Sequence, residues 1–154
     1  MSDARWFEVN AAIQAAVRHF AGAAAIFPRL PVAQATEDRY VTEMAFMHAM
    51  QSGHTSLEAA RLRILDLCAE EAPTGARWHA DLIARAAHPL GTRPAILGAE
   101  AARAADETRR FRGIAAHAYD AFDHVQAKNA VESAVLLVSL LPSEIARFRQ
   151  TIDP

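Results

Sequence analysis

The chain has 154 residues, 52% of them apolar and 22% charged, with a formal net charge of −2. A domain of this length buries roughly 70% of the surface its unfolded chain exposes, so neither a second domain nor a metal or disulfide is needed to complete a core. The single cysteine, Cys68, excludes an intramolecular disulfide, and the near-neutral balance excludes a protein that coats nucleic acid by charge alone. Among the 16 Lys and Arg residues only Lys128 is a lysine. That excess of arginine accompanies an alanine-rich composition and reads as codon bias, although the planar guanidinium also suits phosphate. The most apolar stretch, residues 131–141, falls short of the ~20 residues that cross a bilayer. The first residues carry acids where a signal peptide would be basic and then apolar. A cytoplasmic protein without a membrane span is therefore expected.

In chain order, Ser2 or Asp3 is placed to cap a first helix that runs to about residue 25, where Pro28 and Pro31 break the chain. A second helix is predicted over about 35–51, with Tyr40, Met44 and Met47 on one face, and Gly53 ends it. Thr55 and Glu58 have the spacing of a capping box and open a third helix, whose apolar stripe is Ala60, Ile64, Leu67 and Cys68. Pro73 and Gly75 stop it. A short fourth helix covers 77–87, and the turn-rich connector 88–94 leads to a fifth over about 98–119. The sixth starts near His124, buries Val131, Val135 and Val138, and is kinked or divided at Pro142. With no alternating strand pattern and no internal repeat, the expected fold is all-α: one domain over 1–154, an up-and-down bundle of four to six helices.

Bundles often hold metals, which makes the seven histidines the first candidates. None is preceded by the Glu-x-x-His of carboxylate-bridged di-iron sites, and no His-Glu-x-x-His occurs. One route to a metal remains, the convergence of His48, His79 and His117 from three helices, as in DinB-like bundles. His19, His54, His88 and His124 fit surface or turn positions. Cys68 lies in an apolar stripe without a basic neighbour and reads as an inert thiol. No phosphate loop or nucleophile elbow is present, and no cofactor is expected.

Residues 109–120, Arg-Arg-Phe-Arg-Gly-Ile-Ala-Ala-His-Ala-Tyr-Asp, stand apart: Arg112 precedes His117 by five positions and Tyr119 follows it by two. This Arg-x4-His-x-Tyr arrangement resembles the HEPN superfamily, and in particular the HepT-like ribonuclease toxins. The segments Gly53-His-Thr-Ser-Leu-Glu-Ala-Ala-Arg-Leu-Arg-Ile64, Arg77-Trp-His79, Arg93-Pro-Ala-Ile96 and Phe111-Arg112 look like further landmarks of one subgroup. The resemblance covers a core of about residues 36–150 and leaves 1–30 as a helical extension. The extension caps the bundle, extends a dimer or meets a partner.

The resemblance implies a homodimeric, metal-independent endoribonuclease toxin with an RNA substrate and no membrane. Arg112 and His117 would be its catalytic residues. Cleavage by the ribose 2′-OH needs a proton carrier near pH 7 and a cation on the developing phosphorane charge, tasks that suit histidine and arginine. Arg109 and Arg110 are candidates for RNA phosphate contacts, and Asp120 is a candidate to orient His117. The implied partner is a nucleotidyltransferase antitoxin of the MNT type, which would attach AMP to Tyr119 and block the site by bulk and like charge. On an ideal helix Arg112 and His117 lie about 140° apart, a gap that a bend at Gly113 would narrow. The sequence departs from the family at Gly113, where a polar residue usually follows the arginine. It departs again at Ala116, where the subgroup carries a second arginine. These departures keep open a non-catalytic binding partner of a nucleotidyltransferase, and the DinB-like metal bundle stands as a third reading.

Overall fold

The computed structural model describes residues 3–30, 36–117 and 123–154, and all the helices expected from the sequence are accounted for by five: α1 (Asp3–Ile26), α2 (Thr36–Leu67), α3 (Trp78–Ala87), α4 (Ala99–His117) and α5 (His124–Ile152). A single 3-10 turn, Phe27–Arg29, follows α1 with Pro28 in its first turn. No strand occurs among the described residues. α1 lies against both α2 and α5, α4 against α2 and α5, and the short α3 covers α2 and α4.

The extension is part of this bundle. Trp6, Val9, Ile13, Ala16, Phe20 and Ala23 recur every three or four residues and are all buried. Trp6 also joins the chain ends: its indole donates to Asp153 at 3.1 Å, its ring meets Phe148 edge-on, and Arg149 lies over it while pairing with Asp3. Phe7, on the opposite face, is 71% exposed.

The largest correction concerns α2. Two helices divided at Gly53 are in fact one helix of 32 residues, and Thr55 and Glu58 form no capping box because no helix begins there. Gly53 has another purpose: a Cβ placed on it would lie 2.6 Å from two ring carbons of fully buried Phe20. The residue lets α1 and α2 approach, and packing across that contact outweighs the ~1 kcal/mol that glycine costs a helix. Pro142 likewise sits inside an unbroken α5, held on either side by buried Leu141 and Ile145. Asp123 caps that helix, accepting from the Val125 and Gln126 amides at 2.9 and 3.1 Å. With 29 residues α5 is also long and apolar enough by length and composition to cross a membrane. Ten of its residues are buried in the bundle. Tyr40 and Val135, expected inside, are more than half exposed.

The connector after α3 is held by buried Arg93. Its guanidinium pairs with Glu70 and donates to the carbonyls of His88, Pro94 and Arg85. Glu144 of α5 accepts from the Gly98 amide at 2.9 Å, where α4 begins. These contacts fix α3 and the start of α4 against α2.

Gly53 and Gly113, both helical, lead to opposite expectations. Gly53→Ala should lower stability, because overpacking costs about 1–3 kcal/mol. Gly113→Ala, with open space around its Cβ position, should raise stability by about 0.5–1 kcal/mol. Urea titrations with an unchanged slope check both signs.

Candidate functional site

α2 and α4 run in the same direction, and side chains one turn apart on each meet in register. His54 Nδ1 is 2.8 Å from Thr108 Oγ1, and one turn on, Arg112 Nη1 donates to Glu58 Oε1 at 2.7 Å. α3 brings His79 to the same carboxylate, its Nδ1 in contact with Glu58 Oε2. Arg112 Nη2 lies 2.9 and 3.3 Å from the two nitrogens of that imidazole. The guanidinium therefore lies across the ring rather than end-on to one nitrogen. Trp78 lies close against His79, ring centroids 3.6 Å apart. Glu58 is nearly buried, Arg112 one-fifth exposed and His79 one-third exposed, so the cluster opens to solvent on the His79 and Arg112 side.

The Thr108 hydroxyl donates its one proton to the Ala105 carbonyl at 3.0 Å. It then accepts from His54 Nδ1, leaving His54 Nε2 without a hydrogen-bond partner, 3.5 Å from Glu58 Oε2. His54 is fully buried, not the surface or turn residue expected from the sequence. Burial depresses its pKa to about 4 against the pull of Glu58, with Arg61 and Arg112 adding to the depression, so the ring is neutral at pH 7. For Glu58, burial pushes upward, but the neighbouring His54 and His79 side chains and the charge of Arg112 prevail and hold it at about 2. Beneath them Arg61 is fully buried, and none of its three guanidinium nitrogens has a hydrogen-bond partner among the described residues. Burial lowers it to about 10, with Glu58 opposing and Arg112 reinforcing, and it stays charged at neutral pH.

The expected site residues fare differently. Arg112 is at the centre of the cluster. α4 runs without interruption through Gly113 to His117. The side chain of His117, and Tyr119 and Asp120 altogether, lie outside the described residues. Arg109 pairs with Asp106, and Arg110 with Asp106 and Glu107. His48 approaches Ser52 and His19, whereas His79 faces Glu58 and Arg112. Among the described residues no group of three His, Cys, Asp or Glu side chains is arranged to hold a metal. Burial raises the pKa of Cys68 above its ordinary value, in keeping with an unreactive thiol.

Sequence reasoning missed Glu58, Arg61 and Thr108 as site residues and gave His79 only to a metal. A signal was present: His54, Glu58 and Arg61 follow one another at i, i+4 and i+7 on the face that carries Leu57, Ile64 and Leu65. Polar residues repeated on a buried stripe mark a site.

A family model described as HepT-like protein matches residues 45–152, which include Glu58, His79 and Arg112. No curated protein and no solved structure matches the chain.

The cluster makes the fold acid-sensitive. His54 is depressed from 6.5 to about 4 and Glu58 from 4.5 to about 2. In both cases the unfolded chain takes up the proton first, so stability is complete above pH 6.5 and is lost in two stages as pH falls, first to 4 and then toward 2. Urea midpoints measured across that range should show both stages, and His54→Asn should flatten the first.

Proposed function

The chain belongs to the HepT-like family of the HEPN superfamily, and on that premise we propose that it is a metal-independent endoribonuclease, the toxin of a toxin–antitoxin pair. The observation that carries the reading is the state of Arg112. One edge of its guanidinium is fixed by Glu58 and its flank by His79, and it remains partly open to solvent. A cation held in this way cannot lose its proton and needs no reorganisation when charge develops on a phosphate. Arg61 adds to this: with Glu58 ionised, two guanidinium charges face one carboxylate, and the pocket keeps an excess positive charge that attracts an anion.

In this reading the ribose 2′-oxygen attacks the adjacent phosphorus, Arg112 takes the charge of the phosphorane and His117 carries a proton. Two copies of the chain share the cleft. Arg109, one turn before Arg112, extends the cationic track on α4, and Arg110 adds a phosphate contact from the adjoining face, once RNA competes with their carboxylate partners. A nucleotidyltransferase of the MNT type switches the enzyme off by transferring AMP to Tyr119, since a bulky anion beside the site excludes the RNA phosphate by size and charge.

Total RNA incubated with purified protein and EDTA should be cleaved. Arg112→Ala should reduce the rate by about 10²–10³-fold, and His117→Ala should abolish it while leaving a dimer on gel filtration. Folded, dimeric, AMP-free protein that cleaves nothing would replace this reading with a non-catalytic binding partner, in line with the small residues Gly113 and Ala116.

A further inference from the structure

We propose that His79 is the general base of the site, its Nε2 taking the proton from the attacking 2′-OH, with Glu58 holding its Nδ1. The inference rests on the ribonuclease reading above and assigns a second proton carrier that the reaction needs. Phosphate transesterification moves two protons: one leaves the 2′-oxygen as its bond to phosphorus forms, and one reaches the 5′-oxygen as its bond to phosphorus breaks. A single imidazole beside the phosphate cannot do both at once.

The geometry carries the assignment. His79 reaches the guanidinium proposed to hold the phosphate, and Arg112 Nη2 lies 2.9 and 3.3 Å from its two nitrogens. Any phosphate on the open edge of Arg112 is therefore next to this ring. With its proton on Nδ1, His79 donates to Glu58 Oε2, and Nε2 is left as the accepting nitrogen of the ring, 3.3 Å from the Arg112 Nη2 that a bound phosphate would draw away. The ring is one-third exposed, unlike His54, and Trp78 limits its rotation by lying against one face. The charged groups around it fit a base. From α4, Arg112 lies across the ring. From α2, ionised Glu58 holds the tautomer and then stabilises the imidazolium once the proton has been taken. His54 and Arg61 are both fully buried, on the side of Glu58 away from solvent. The atoms balance: the 2′-O–P bond forms, the P–O5′ bond breaks, His79 gains one proton, and the 5′-oxygen receives one from the second carrier, His117. The products are a 2′,3′-cyclic phosphate and a 5′-hydroxyl.

The test uses the full-length protein and two substrates, an RNA oligonucleotide and uridine 3′-(4-nitrophenyl phosphate), whose leaving group departs without a proton. For wild type on the aryl ester, kcat/KM should rise with pH through one ionisation. His79→Gln, its folding checked by circular dichroism, should lose about 10²-fold or more on both substrates and show no such rise. His79→Ala should recover activity when free imidazole is added. A His79→Gln rate that is lowered but still rises with pH, or a His79→Ala variant indifferent to imidazole, would make His79 a mere support for Arg112 and overturn the assignment. Wild type inactive on both substrates would overturn the ribonuclease reading and this inference with it, a result distinct from the other two.

Discussion

One carboxylate organises this molecule. Glu58 sits in the middle of α2 with 5% of its side chain accessible, and moving an ion of that size out of water costs several kcal/mol even after relaxation. The cost is bearable only if the carboxylate's oxygens find strong donors. They do so on two other helices, Arg112 of α4 at Oε1 and His79 of α3 at Oε2. The mutual placement of α2, α3 and α4 is thus dictated by the same contacts that build the candidate site. The parallel course of α2 and α4, with His54 facing Thr108 and Glu58 facing Arg112, lets both rungs form at once.

Such a ladder requires α2 to be continuous beneath it. Had the helix ended at Gly53, Glu58 would have been a first-turn residue spending its side chain on backbone amides and not on another helix. What carries α2 through the glycine is α1: the ring of Phe20 occupies the space that a Cβ would take, and the stripe from Trp6 to Ala23 holds the two helices together over their length. The N-terminal helix, most distant in sequence from Arg112, so helps to set the geometry at Glu58. It also lies outside the residues matched by the family model, 45–152. The extension therefore supports from behind a site whose polar members all lie within the family core.

The helices themselves were legible, because apolar residues at three- and four-residue spacing survive any rearrangement of loops. The punctuation was not. Gly53, Thr55 and Pro142 each carry a local preference to end or begin a helix, and in each case burial of neighbours such as Phe20, Leu57 and Leu141 is worth more than the preference. Arg112 was legible from its spacing to His117. Its partners were not, since Glu58 and His79 are 54 and 33 positions away, and no local pattern says which face of α2 meets which face of α4. The interruption of an apolar stripe by His54, Glu58 and Arg61 was the readable trace of that meeting.

Arg61 closes the electrostatic argument. A fully buried guanidinium with no hydrogen-bond partner among the described residues is hard to explain as a stabilising element, for an apolar side chain of the same volume would pack there at less cost. Its effect is on its neighbours. Ionised Glu58 opposes the loss of the Arg61 proton, and it fixes both Arg112 and the tautomer of His79. Without Arg61, Glu58 and Arg112 would cancel, leaving a neutral pocket. With it, two guanidinium charges face one carboxylate among the described residues, the balance on which the proposed binding of an RNA phosphate at the open edge of Arg112 rests.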